Sequence, residues 1–126
     1  MKEETLLVKN LTKGKLSSLP FVLMKNTILG SEYELSVVCV GEKLARKLNR
    51  DMRAKDYATN ILSFSLSKTS GEIIFQLDCV KKDAKNFNMS YKEFLKFLFI
   101  HGLLHLKGMD HGLLMEKEEK KYLKLF

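Results

Sequence analysis

The chain has 126 residues, 45% of them hydrophobic and 29% charged. That is enough apolar material to bury about two-thirds of the unfolded surface without disulfide or metal staples, and too much for a disordered chain. Lysine and arginine outnumber acidic residues 22 to 15, a net charge of +7 that suits a polyanionic partner.

Several classes are disfavoured at once. Cys39 and Cys79 lie in apolar, strand-like runs without CxxC spacing and read as buried, reduced thiols rather than a disulfide or metal pair. The start, MKEETLLV, lacks the apolar core of a secretion signal. The longest apolar stretch, from Phe94 to Leu106, is broken by Lys96 and His101 and is too short and polar to span a bilayer. One domain over residues 1–126 is expected.

In chain order, residues 5–10 suggest a first strand. Ser18, followed by Leu19 and Pro20, reads as the cap and first turn of a helix ending at Gly30. Glu34 to Val40 is apolar and β-branched, a strand. Gly41 and Glu42 open a helix with Leu44, Ala45, Leu48 and Met52 at helical spacing. Arg46, Arg50 and Arg53, the chain's three arginines, would line another face of it, either a solvated surface or a stripe for a polyanion. Ile61 to Ser65 and Gly71 to Leu77 read as strands, followed by a short helix near 79–87. Ser90 caps the next helix and Glu93 completes a capping box. That helix, carrying Phe94, Leu95, Phe97, Leu98, Phe99, Ile100, Leu103 and Leu104, is apolar nearly all round and should be the buried centre. Residues 112–125 form a last, charged, amphipathic helix. The pattern predicts an α+β fold with a small, mixed sheet of about four strands packed with helices.

All three histidines fall between His101 and His111. On a helix His101 and His105 share one face. Gly108 lets the chain leave the helix through a left-handed turn, so that His111 can swing back toward them. Three converging imidazoles leave a tetrahedral metal one open position, as in a catalytic zinc site at the end of the central helix. The spacing equals that of HExxHxxGxxH zinc proteases, but the position of their general-base glutamate is Gly102, which disfavours that mechanism. Such a centre could hydrolyse a phosphodiester, amide or ester. Asp110 could orient an imidazole or assist the reacting water, or merely cap the following helix.

The segment HGLLHLKGMDH from His101 to His111 resembles the HGxLHLxGYDH signature of the YbeY family of single-strand-specific, metal-dependent endoribonucleases. Leu48 to Phe64 is similar to the family's LNxxYRxKDxPTDVLSF, and Gly71 to Ile74 stands where it has GDIVI. Departures are Met52 for the aromatic, Ala58 for proline, Asn60 and Glu72 for aspartates, and Met109 for tyrosine. Asn60 puts in doubt any proton-transfer role at that position, because an amide cannot take up a proton near neutral pH.

The resemblance implies a bacterial cytoplasmic enzyme of ribosomal RNA maturation and ribosome quality control. It would use one Zn2+, or another divalent ion, on His101, His105 and His111. Single-stranded RNA, ribosomal RNA and the small ribosomal subunit would be its partners, with no DNA or membrane expected. Arg53 matches the family's catalytic arginine. Arg46, Arg50, Arg53 and Lys55 would contact RNA, although Lys55 could instead simply hold its loop. A metal-dependent protease or amidase, and a non-enzymatic, zinc-stabilised ribosome-binding module, remain as rival expectations.

Overall fold

The computed structural model describes residues 5–53 and 59–126, with the backbone only at Met52 and Arg53. Four strands form one mixed sheet: β1 (Leu6–Asn10), β2 (Glu34–Val40), β3 (Ile61–Ser67) and β4 (Ser70–Gln76). Their spatial order is β1-β2-β4-β3. The first three neighbours run parallel and β3 pairs antiparallel with β4, with a register irregularity between Ser65 and Ser67. The helices are α1 (Phe21–Leu29), α2 (Glu42–Arg53), α3 (Leu77–Asn86), α4 (Tyr91–Leu106) and α5 (Leu113–Leu125).

The period-2 alternation of the strands explains how the helices divide. Leu35, Val37 and Cys39 on β2 and Ile73 and Phe75 on β4 are buried in one core with α1, α3, α4 and α5. Val40, Leu62 and Ile74 turn the other way and meet Ala45 of α2 in a second, smaller cluster. The sheet is therefore sandwiched, with α2 on one face and the remaining helices on the other. α4 is central, as its sequence predicts: Leu95, Phe99, Ile100, Leu103 and Leu104 are all fully buried. Its start is held by the Ser90 hydroxyl accepting the Glu93 N–H at 3.1 Å. The Glu93 carboxylate pairs with Lys96 at 3.2 Å, so only half of the expected capping box forms.

Three local expectations need correction. Ser18 does not cap α1; the cap is Pro20, with no side-chain hydrogen bond, and the Pro20 carbonyl accepts the Met24 N–H at 2.9 Å. Among the described side chains of α2 the buried positions are Ala45 and Asn49, Leu48 is partly buried and Leu44 is 41% exposed, while the Met52 side chain lies outside the described residues. Cys79 lies on α3 and is only half buried, whereas Cys39 is buried on β2, where desolvation pushes its thiol up to about 11. No helix among the described residues is long and apolar enough to cross a membrane.

Candidate metal centre

The last turn of α4 and the reversal after it build the site. α4 ends in a Schellman closure: Gly108 N–H reaches the His105 carbonyl at 2.9 Å and Met109 N–H the Leu104 carbonyl at 3.0 Å. Gly108 takes φ +105°, a conformation that costs a side-chain-bearing residue strain. The reversal sends the chain back over the helix end. The rings of His101 and His105 lie 4.6 Å apart between centroids, and His111 comes to 5.1 Å from the first and 4.7 Å from the second. One ligating nitrogen from each falls within 4.8 Å of the others.

Hydrogen bonds at the back of two rings decide which nitrogens face inward. His101 Nδ1 lies 2.8 Å from Glu119 Oε2 on α5, and His105 Nδ1 lies 3.1 Å from the Met109 carbonyl. A carbonyl and a carboxylate only accept, so both Nδ1 atoms donate and each ring directs Nε2 toward the centre. There the two Nε2 atoms approach to 3.1 Å. Two lone pairs at that distance repel unless a cation, a proton or a metal ion, stands among them. Burial, reinforced by the neighbouring His101 and His111, holds the His105 pKa below its ordinary value. A set of three imidazoles with one position left open fits a zinc-type divalent ion.

Glu119 is the functional residue that the sequence reading passed over. It is 7% exposed and sits on the buried stripe of α5 with Met115 and Tyr122. A carboxylate on an apolar helical stripe was the available signal. A buried acid needs a partner, and a metal-ligating histidine commonly hands its second nitrogen to one.

Gly102 has a structural reason. A Cβ there would come within 3.1 Å of both Ile61 and Ile73, so position 102 faces the sheet rather than the histidines. Glycine offers no proton acceptor at this position, so the protease mechanism is not favoured.

The other expected site residues are placed less uniformly. Asp110 is exposed, and among the described residues no hydrogen bond joins it to an imidazole; its charge nudges His105 upward against the dominant effects. It does not cap α5 either, whose N-cap is Gly112 without a side-chain bond. Arg46 and Arg50 are exposed on α2, across the sheet from α4. Arg53 is the last residue of α2; its side chain, and all of Lys55, lie outside the described residues. The imidazoles open onto a cavity of about 450 Å³ that Thr59, Asn60, Ser63 and Ser65 also line. Asn60, standing where the family has aspartate, donates from Nδ2 to Asp83 Oδ2 at 2.9 Å.

Fold and site together define a small α+β protein organised around a three-histidine group that could hold a metal ion. The family model described as Endoribonuclease YbeY matches residues 4–125, and the chain belongs to that family. A curated relative named Endoribonuclease YbeY from Aromatoleum aromaticum is 37% identical over 98 residues, covering 75% of this chain and 64% of its own length. One of the same name from Neorickettsia sennetsu is 34% identical over 124 residues, covering 87% of each. The chain thus spans a little under two-thirds of the first relative and most of the second. The solution structure of a Thermotoga maritima protein superimposes with a TM-score of 0.67 at 26% identity, covering 94% of this chain and 87% of that one.

Proposed function

We propose that the chain, as one domain over residues 1–126, is a metal-dependent endoribonuclease that cuts single-stranded RNA. Its setting would be ribosomal RNA maturation and ribosome quality control in the cytoplasm, with the small ribosomal subunit as partner. The observation that carries the reading is the inward convergence of three imidazoles in a member of this family, with glycine rather than a proton acceptor at position 102.

His101, His105 and His111 would hold the ion, with Zn2+ favoured by an all-imidazole set that leaves one open position. Bound there, such an ion would supply Lewis acidity for activating water and polarising a phosphoryl oxygen. Glu119 and the Met109 carbonyl fix the tautomers of His101 and His105, so that neither ring must reorganise during the reaction. Arg53 would stabilise charge on the scissile phosphate, a task suited to a planar guanidinium fork. Asp110 would move a proton or orient water beside His111. Arg46, Arg50 and Lys55 would hold the RNA backbone through contacts indifferent to sequence.

The test is cleavage of matched single-stranded and duplex RNA by protein stripped of metal and then refilled with Zn2+. Cleavage should vanish on stripping, return on refilling, favour the single strand and fall as salt rises. Equal rates on both substrates, or full activity of stripped protein, would contradict the proposal.

A further inference from the structure

The cavity beside the histidines has a second wall whose chemistry differs from the first. Strand β3 is an edge of the sheet, paired only with β4 among the described residues. Asn60 O accepts the Gln76 N–H at 3.0 Å, which sets the phase of the antiparallel ladder. Residues 60, 62 and 64 therefore turn their backbone groups toward β4, and Ile61, Ser63 and Ser65 turn theirs outward. The same alternation puts the side chains of those three residues on the α4 face; Ile61 lies against Gly102 there. The outward Ile61 carbonyl already takes a hydrogen bond from the Thr59 hydroxyl at 3.3 Å. Ser63, whose N–H and C=O the ladder phase turns outward, lines the cavity that the three imidazoles also line.

Apart from the imidazoles, the described residues that line this cavity carry no ionisable side chain. Its alternating neutral donors and acceptors do not suit a phosphate, which calls for cations or converging N–H groups. They suit a group that itself alternates donors and acceptors in one plane. We propose that the outer edge of β3 at Ser63 is a nucleoside subsite. It would take the base of the nucleotide whose phosphate lies at the histidines, pairing the base's hydrogen-bonding edge with the Ser63 N–H and C=O. Single-strand selectivity then has a local cause, since in a duplex that base edge is already occupied. The inference rests on the ribonuclease reading and adds where the strand lies and why it must be unpaired. An extended peptide added to the same edge is the competing occupant.

The experiment is an amide NMR titration of the 15N-labelled, Zn2+-loaded chain with the four 5′-nucleoside monophosphates, inorganic phosphate and a short unstructured peptide. The nucleotides should shift the Ile61, Ser63 and Ser65 amides, while phosphate leaves those amides in place. Ser63→Pro removes the outward N–H without touching the β4 ladder, a substitution that edge strands tolerate. It should weaken nucleotide binding about tenfold, the upper range for one lost hydrogen bond, with metal content unchanged. Nucleotide shifts no different from those of phosphate, or edge shifts with the peptide alone, would overturn the subsite whether or not the variant folds. RNA cleavage by the parent is scored separately. Cleavage without edge shifts rejects the subsite alone, whereas edge shifts without cleavage support it and reject the ribonuclease reading.

Discussion

The two faces of the sheet are built to different standards. Beneath α1, α3, α4 and α5 lies a contiguous core of twenty-one buried residues; beneath α2, among the described residues, there are four. The three-histidine group stands on the thick side, where α4 is pinned by Phe99, Leu103 and Leu104, each wholly buried. Arg46 and Arg50 stand on the thin side. Ligands to one ion must be held to within a fraction of an ångström, and a close-packed core provides that rigidity. Contacts to a flexible polyanion need charge and reach more than fixed geometry. Under the proposed function this is a division of labour across one sheet, with a rigid face that would hold the ion and a lightly anchored helix that would meet the substrate backbone.

The largest effect should come from breaking the thick face. Phe99→Ala, which leaves a cavity beside Phe21 and Phe75, should cost about 3–5 kcal/mol of stability in urea unfolding. Leu48→Ala on α2, only partly buried, should cost far less, and equal losses would erase the distinction. Next, Arg53→Lys should leave folding and metal content intact while slowing RNA cleavage on the order of a hundredfold, as expected for one lost donor to the transition state. A rate within a few-fold of the parent would remove Arg53 from the chemistry.

Glu119→Gln should weaken zinc affinity by roughly ten- to a hundredfold, measured by competition with a chelator, because a carboxylate holding a ligating imidazole is replaced by a neutral amide. Unchanged affinity would reduce Glu119 to a packing residue. The smallest effect is dynamic. Amide exchange in α2 should proceed through local opening at lower free energy than in α4, whose amides should need global unfolding. Matching protection in the two helices would contradict the asymmetry.

Much of this could be read from the sequence because its signals are local. The capping Ser90, the apolar run from Phe94 to Leu106 and the spacing His101, His105, Gly108, His111 each fix geometry within a few turns of chain. The structure brings those three histidines together as the spacing implies. What escaped depends on tertiary neighbours. The β1-β2-β4-β3 order follows from which faces pack, and no residue pattern announces it. On α2, Leu44 and Ala45 are adjacent in sequence and a hundred degrees apart on the wheel; the sheet, not hydrophobicity, selects Ala45 for burial. Glu119 reaches His101 from another helix, eighteen residues on. Its role becomes visible only once α5 is docked against α4.

X-ray absorption spectroscopy of the zinc-loaded chain, compared with His105→Ala, tests the centre most directly. The parent should show one ion per chain with three imidazole nitrogens at about 2.0–2.1 Å and no sulfur near 2.3 Å. The variant should lose the ion on dialysis. A thiolate shell in the parent, or full occupancy with His105 gone, would contradict the three-histidine centre.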